Sequence, residues 1–328
     1  ASGNYSFNVP NGSTVTITPS KDTDVRNGVE SIDASIIRSH TASGTPVIMT
    51  PYRLIAGDVN LSSGAGASDP NAIDAGIIQN LVAGNFADFS IWGNTSWRFV
   101  DAAHIFADPE NPWTDAIPDN IALGPLMGDA PNQNFEGIKN GDVGAVRANP
   151  QLAVGTTTSQ DRSDKTLYLQ LEDQQLSAGT SYRVDVRARD FQELLAYQMT
   201  LDFDPHALSF VNFEAGVLSN MVLGNKKASD GQLAVVWAEA LPTNLSEEDV
   251  LFSLVFKATQ SGSKLSELLS LTDAITQTQA FDIDYKSLDV ELEFNTLTST
   301  PGLEASFELY QNRPNPFREQ TVIGFKLP

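Results

Sequence analysis

The 328-residue chain contains no cysteine. Disulfide bonds, thiolate metal ligands and cysteine nucleophiles are therefore excluded. An exported protein that lacks disulfides needs another device to constrain its fold. Bound metal ions supply one, because the free energy of metal binding becomes free energy of folding.

Basic residues are also scarce, since 20 Lys and Arg face 41 Asp and Glu and give a formal net charge of −21. Clustered cations bind nucleic acids and anionic membranes, so this balance argues against both as partners. No apolar run reaches the roughly 20 residues of a membrane-spanning helix. The first residues, ASGNYSFNVP, carry no signal-peptide pattern. If the protein is exported, we expect its leader to have been removed or to lie outside this sequence.

Residues suited to catalysis are few. The three histidines lie far apart, in different predicted segments: His40, His104 and His206. No nucleophile elbow, phosphate-binding loop or histidine-based zinc motif is present. Two close carboxylate pairs would suit a glycosidase, but acids that alternate along a strand face usually lie in solvent: Asp202/Asp204 and Asp282/Asp284. We therefore predict that the protein is not an enzyme.

A short repeat is the most informative feature of the N-terminal half. SIDASII (31–37) recurs as AIDAGII (72–78), and in each copy the isoleucines share one helical face. Ser68 or Asp69 as cap and Pro70 in the first turn predict where the second helix begins. Residues 5–18 precede the repeat and predict a hairpin around an Asn-Gly turn.

Oxygen-bearing side chains precede each repeated helix. The first loop, DTDVRNGVESID, places Asp22 and Asp24 at positions 1 and 3 and Asp33 at position 12. Ca²⁺ takes six to eight oxygen ligands, and a tight loop with carboxylates at these positions can wrap it.

The second loop begins DVNLSSG, with Asp58, Asn60 and Ser62 at positions 1, 3 and 5. Asp74 is its predicted closing carboxylate because it is equivalent to Asp33 in the repeat. Asp69 directly precedes a proline, and we interpret it as a helix cap. The alternative for both loops is that these side chains only form Asx turns and cap helices. A partial copy, GDVGA, follows at 141–145.

This duplicated loop-helix pattern resembles the dockerin family of calcium modules over residues 20–85, with a tail to 145. The resemblance implies Ca²⁺ bound by the seven residues at the positions described: Asp22, Asp24, Asp33, Asp58, Asn60, Ser62 and Asp74. The sequence departs from the family at Arg26, which brings no side-chain oxygen to position 5 of the first loop. The second loop is five residues longer than the first.

Beyond a polar linker at 156–164 the pattern becomes all-β. Seven strands are predicted, separated by Gly, Asp and Pro signals: TLYLQL, SYRVDVRA, AYQMTLDF, ALSFVNF, QLAVVWAEA, VLFSLVFKA and LDVELEF. The segment LSELLSLT (265–272) fits either a helix or a strand. Residues 165–295 resemble cohesins, which implies a nine-stranded jelly-roll or Ig-like sandwich with a core that includes Met199, Leu201, Phe203, Leu208 and Phe210.

The last residues, FELYQNRPNPFREQTVIGFKLP, predict two strands joined by a proline-rich turn. They resemble the beginning of the C-terminal sorting domain of the type IX secretion system, whose machinery is then an expected partner. The resemblance implies export to the cell surface or the extracellular space. It also implies that the sequence breaks off inside this domain.

Together these patterns predict a mainly β protein with a small α part, in which a cohesin-like β-sandwich follows a dockerin-like paired loop-helix calcium module. The predicted divisions are 1–150, 151–300 and 301–328. We expect a non-enzymatic extracellular structural or adhesion protein that self-associates, by dockerin–cohesin or strand-addition contacts, into surface assemblies or filaments. The alternative is a glycan-binding or attachment region of a secreted glycan-degrading protein.

The calcium hypothesis predicts that EDTA lowers the melting temperature of the N-terminal half. A metal that binds only the folded state stabilises it by about 2.7 kcal/mol when its concentration is a hundredfold above Kd. Asp22→Ala or Asp58→Ala should lower the melting temperature in the same way and should leave less for EDTA to remove. Melting curves that are identical with and without chelator would contradict the hypothesis.

Overall fold

The computed structural model describes residues 3–42, 47–48, 50–62, 70–144 and 162–295, with the backbone of 308–309 and 325–326. Its helices are α1 (Ser31–Ala42), α2 (Pro51–Gly57), α3 (Ala72–Val82) and α4 (Leu265–Leu268). The strands up to the linker are β1 (Val15–Ile17), β2 (Trp97–Asp101), β3 (Ile121–Leu123) and β4 (Phe135–Lys139).

The strands that follow are β5 (Arg162–Glu172), β6 (Ser181–Arg189), β7 (Leu194–Phe203), β8 (Leu208–Ala215), β9 (Met221–Gly224), β10 (Gln232–Thr243), β11 (Phe252–Ala258), β12 (Leu269–Thr272), β13 (Gln279–Asp282), β14 (Ser287–Asn295), β15 (Glu308–Leu309) and β16 (Phe325–Lys326). The protein is mainly β, as predicted.

β5 to β14 form a β-sandwich. Their hydrogen-bonded order is β8-β11-β6-β5-β14-β13-β7-β10-β9, and β12 also pairs with β7. The β5–β14 pair is parallel. Phe203 on β7 and Phe256 on β11 lie far apart in this order, yet their ring centroids are 5.1 Å apart. The sheet therefore folds over itself into two layers with a shared interior.

Alternation along β7 and β10 builds that interior. Tyr197, Met199 and Leu201 point into the core of the sandwich, as do Val235 and Trp237. All seven predicted strands are present. Four of the five predicted core residues are buried, and the fifth packs against them partly exposed: Met199, Leu201, Phe203, Leu208 and Phe210.

The segment LSELLSLT (265–272), which fits either a helix or a strand by sequence, contains one of each, since α4 runs directly into β12. β12 and β13 pair with successive stretches of β7. This interruption gives ten strands where the sequence predicted nine.

The opposite faces of β7 and β10 are also buried, because α1 and α3 lie on them. Ala196 on β7 and Ala234, Val236 and Ala238 on β10 share a second hydrophobic core with five isoleucines of the two helices: Ile32, Ile36, Ile37, Ile77 and Ile78. The sixth, Ile73, was predicted on the same face, but it is 66% exposed. Every residue from Ser31 to Ile37 is buried. The repeated helices therefore form a layer on the sandwich, called the helix layer below: α1 and α3.

Two short β ladders lie in the N-terminal half. β2 pairs with β4, and β1 pairs with β3. The predicted hairpin over 5–18 is wrong, because residues 5–10 form no strand although Asn11 and Gly12 do turn. A two-stranded hairpin alone is only marginally stable in water. β1 pairs instead with the distant strand β3, whose Ile121 is buried at 8% exposure.

The chain divides into two compact units, Ala1–Asn295 and Thr296–Pro328. In the second unit β15 pairs with β16, in antiparallel register. The proline-rich turn between them lies outside the described residues. Of the linker predicted at 156–164, residues 156–161 also lie outside them, and residues 162–164 are not a linker but the beginning of β5. None of the described helices has the length and apolar character needed to cross a membrane.

The shared second core predicts that helices and sheet unfold together. Ile78→Ala removes a side chain that is 0% exposed and should cost about 2–5 kcal/mol. Ile73→Ala is the matched control on the same helix, because Ile73 is 66% exposed, and it should change stability by about 0.5 kcal/mol or less. Circular dichroism of the helices and the fluorescence of Trp237, in a background where Trp92, Trp97 and Trp113 are replaced by Phe, should give one coincident transition in urea. Separate transitions would contradict the shared core.

Candidate functional site

Asp74, the predicted closing ligand of the second loop, is fully buried at the start of α3. Its Oδ1 accepts hydrogen bonds from the backbone N–H groups of Val59 (3.1 Å) and Asn60 (3.3 Å). Its Oδ2 accepts a hydrogen bond from the N–H of Asn71 (3.0 Å). Asn71 in turn caps α3, because its side-chain oxygen accepts the N–H of Ile73. The carboxylate thus ties the beginning of the loop to the beginning of the helix.

The other ligands predicted in this loop lie close to one another. Asp58 Oδ1 and Asn60 Oδ1 both accept the N–H of Ser62, at 3.0 and 2.9 Å. The structure therefore brings together Asp58, Asn60, Ser62 and Asp74. Two carboxylates, an amide oxygen and a hydroxyl are a donor set that fits a hard cation such as Ca²⁺. Residues 63–69 of this loop lie outside the described part.

The residues predicted for the first loop lie in different places. Asp22 Oδ1 accepts the N–H of Ser96 at 2.8 Å. Asp24 is exposed and forms an ion pair with Lys21 at 3.4 Å. Asp33 is buried, and its carboxylate accepts N–H groups from other segments. Asp22 and Asp24 therefore make their contacts apart from Asp33, and calcium binding by this trio stays a prediction.

Asp33 repeats the role of Asp74 with a partner from elsewhere in the chain. Its Oδ1 accepts the N–H groups of Val143 (2.9 Å) and Gly144 (3.2 Å), and its Oδ2 accepts the N–H of Glu30 (2.8 Å). The segment Gly141–Asp142–Val143 thus contacts the start of α1 in the same way as Gly57–Asp58–Val59 contacts the start of α3. The partial copy GDVGA contains Asp142, which is equivalent to Asp58 and was not among the predicted ligands.

The glycines of the two copies confirm this equivalence. A Cβ on Gly57 would lie 2.7 Å from the Pro70 side chain, and one on Gly141 would lie 3.1 Å from Val29. Pro70 and Val29 occupy the same position of the repeat, two residues before each helix begins. The two loop-helix units therefore share the same close contact. The unit that contains α1 is built from two segments far apart in the sequence, one beginning at residue 29 and the other ending at residue 144.

Buried charge concentrates around the first of these units. Burial raises the pKa of Asp142 to about 7, and the charge of Glu30 adds to the increase. Burial and the neighbouring Asp142 hold the pKa of Asp33 well above its usual value. Burial lowers the pKa of Lys139 to about 8. Among the described residues no three His, Asp or Glu side chains converge closely enough to hold a metal ion.

Polar contacts fix the helix layer on the sheet. Three serines one turn apart lie on the sheet side of α1: Ser31, Ser35 and Ser39. The N–H of Ser31 donates to Gln198 Oε1 (2.6 Å), Ser35 Oγ donates to the carbonyl of Glu239 (2.6 Å), and Ser39 Oγ donates to that of Ala240 (2.5 Å). Gln198 is 1% exposed, and its amide also donates to Thr276 and Gln277.

The aromatic residues 92–113 have two fates. Trp92 packs edge-on against Phe86, and Trp113 packs against the core under the helix layer. Phe106 is 8% exposed. These three belong to or pack against the hydrophobic cores. Trp97 and Phe99 differ, because they line a surface cavity.

The histidines remain apart. His40 Nδ1 accepts the N–H groups of Val47 and Ile48, and His104 lies 4.0 Å from Asp115. The carbonyl of His206 accepts hydrogen bonds from Thr259 and Gln260. Each contact is one that positions a loop.

No family profile matches the sequence, and no curated protein matches it either. Solved structures that are similar to the chain are cohesin modules. The sixth cohesin of Acetivibrio cellulolyticus scaffoldin B, in complex with a Cel5 dockerin, is 17% identical with TM-score 0.32, over 40% of this chain and 96% of that one. A type I cohesin–dockerin complex (OlpC with Doc435) of Clostridium thermocellum gives 15% identity and TM-score 0.34, over 43% and 100%. A non-cellulosomal cohesin of Archaeoglobus fulgidus gives 19% and 0.31, over 40% and 88%.

The raised pKa of Asp142 predicts a pH dependence of stability. The folded protein keeps this carboxyl protonated up to about pH 7, whereas the unfolded chain ionises it near 3.8. Its contribution is complete below pH 3.8 and is lost as the pH rises to about 7, which corresponds to at most about 4 kcal/mol. Asp142→Asn stays neutral and should reduce this loss, measured by urea denaturation in EDTA at acidic and at alkaline pH. The exposed Asp129→Asn is the control, and equal pH profiles for both variants and the parent would contradict the assignment.

Proposed function

We propose that this protein is a non-enzymatic extracellular structural module that acts through protein–protein contacts. The observation that carries the proposal is the docking of the helix layer on β7 and β10, which buries both faces of the central strands. The chain then presents a sheet whose central strands are covered on both faces. We expect the sandwich and the helix layer to move as one body.

Calcium belongs to this proposal as a stabiliser of the helix layer. Asp58, Asn60, Ser62 and Asp74 would hold the ion at the start of α3. The ion would neutralise carboxylates that are 1% and 0% exposed, for Asp58 and Asp74 respectively. In a chain without cysteine this would take the place of a covalent crosslink.

The free edge of the sheet is the surface that we propose for self-association. β8 pairs with β11 on one side, and no described strand lies on the other. Val211 on this strand is 56% exposed. An exposed edge accepts a strand from another chain through backbone hydrogen bonds. A contact of this kind that does not close on itself extends into a filament.

Export follows from the terminal segment as part of the same proposal. The resemblance of residues 307–328 to a type IX sorting domain supports secretion to the cell surface and makes that machinery a partner. The antiparallel pairing of β15 with β16 agrees with the strand-turn-strand pattern predicted there.

The proposal predicts assembly without turnover. Light scattering and negative-stain electron microscopy of the full chain in calcium should show extended oligomers, and glycosidase and protease substrates should remain intact. Val211→Lys should block assembly, because a charge on an edge strand prevents pairing. Val217→Lys is the control, since Val217 is 54% exposed and lies outside the strands. Turnover of a substrate, or a monomer at every calcium concentration, would contradict the proposal.

A further inference from the structure

A cavity of about 330 Å³ lies between the segment 18–22 and strand β2. It is within the size range of small-ligand sites, which is about 300–1,000 Å³. Residues from three separate stretches of the chain form its walls: Thr18, Pro19, Ser20, Lys21, Asp22, Thr95, Trp97, Arg98, Phe99, Ile117 and Asp119. Its walls include neither the residues that the second loop brings together nor any residue of β8, but they do include Asp22, a predicted ligand of the first loop.

The aromatic wall of the cavity, Trp97 and Phe99, is held in place by contacts with neighbouring residues. Trp97 Nε1 donates to the carbonyl of Thr23 at 3.2 Å. The Lys21 ammonium lies 4.1 Å from the centre of the Trp97 ring. Trp97 and Phe99 both flank Gly137 on β4, where a Cβ would lie 3.5 Å from the Phe99 ring. The two rings are therefore positioned before any ligand arrives, although both remain partly exposed.

The polar wall contains cationic side chains that donate hydrogen bonds and carboxylates that accept them. Arg98 carries a buried Nη1 that has no hydrogen-bond partner among the residues described. Burial lowers the pKa of Arg98, whereas Asp58 and, to a smaller extent, Asp119 favour its charged form. Asp22 accepts the N–H of Ser96. Lys21 and Arg98 thus face Asp22 and Asp119, so the cavity carries little net charge within a strongly acidic protein.

A ligand for this cavity needs an apolar face and, around its edge, groups that both donate and accept hydrogen bonds. A pyranose ring has this form, because its C–H face packs on an aromatic ring while its hydroxyls donate to carboxylates and accept from guanidinium. An anion would meet two carboxylates, and a purely apolar ligand would leave the charged groups unpaired at a cost of about 1–3 kcal/mol each.

We propose that the cavity at Trp97 is a binding site for a neutral carbohydrate, with Trp97 and Phe99 as the stacking surface and Asp22, Arg98 and Asp119 as the hydroxyl partners. The module would then contact a surface or matrix polysaccharide in addition to assembling with other proteins. This site goes beyond the structural role, and each can fail without the other.

The test uses the full chain and saturation-transfer difference NMR with cellobiose, maltose, lactose and chitobiose, together with glucuronate as a charged probe. At least one neutral disaccharide should give transfer signals from one face of its ring, and glucuronate should bind more weakly. Asp119→Asn replaces an exposed carboxylate and should weaken binding about tenfold, because a hydrogen bond to a charged group contributes about 1.5 kcal/mol or more.

Trp97→Ala should abolish the signals while circular dichroism stays unchanged. Phe7→Ala is the control, since Phe7 is an aromatic residue that is 54% exposed and does not line the cavity. If Trp97→Ala unfolds β2, the Asp119→Asn result decides. The proposal is overturned if no neutral sugar binds, if glucuronate binds best, or if both cavity variants bind like the parent.

Discussion

The packing of α1 and α3 on the outer face of β7 and β10 is the interaction on which the rest of the structure depends. Small side chains allow the close approach, with alanines at 196, 234 and 238 on the sheet and serines one turn apart on α1. Without the helices, the outer face of the two central strands would expose a continuous apolar surface. Such surfaces on soluble proteins are normally covered by a partner. Here the partner is part of the same chain.

Two buried carboxylates, Asp33 and Asp74, hold the helix layer together from within. Each accepts three backbone N–H groups, which compensates for removing a carboxylate from water. Asp142 adds a further carboxyl beside Asp33, and burial makes its charged form unfavourable. We therefore expect the stability of the N-terminal half to depend on pH, whereas the interior of the sandwich is lined by apolar side chains.

The sequence was sufficient for much of the fold because its strongest patterns are local. The strands of the sandwich alternate clearly, and the repeated isoleucines identify two helices, although Ile73 of the second copy is exposed. The pairing of Asp33 with Val143 and Gly144 could not be predicted from spacing, since the donors lie over a hundred residues away. The loop pattern pointed to Asp22 and Asp24 because they precede the helix directly. The half-copy GDVGA was the signal that could have identified Asp142.

The contacts of the helix layer were also beyond the reach of local pattern. Gln198 lies in the middle of a strand between apolar residues, and its burial is explained by hydrogen bonds to the docked N-terminus of α1 and to Thr276 and Gln277. Trp97 and Trp92 are close in sequence and similar in setting, yet one lines a cavity and the other fills a core. Which side chain remains accessible is decided by long-range packing.

A chemical crosslink across the interface tests the central claim most directly, and the absence of cysteine makes it clean. Ser39 Oγ lies 2.5 Å from the carbonyl oxygen of Ala240, so Ser39→Cys with Ala240→Cys places the only two thiols of the chain on opposite sides of the interface. A short bismaleimide should link them within one chain, and mass spectrometry should find a crosslinked monomer. Failure to link, or linkage only between two chains, would contradict docking of the helix layer on its own sheet.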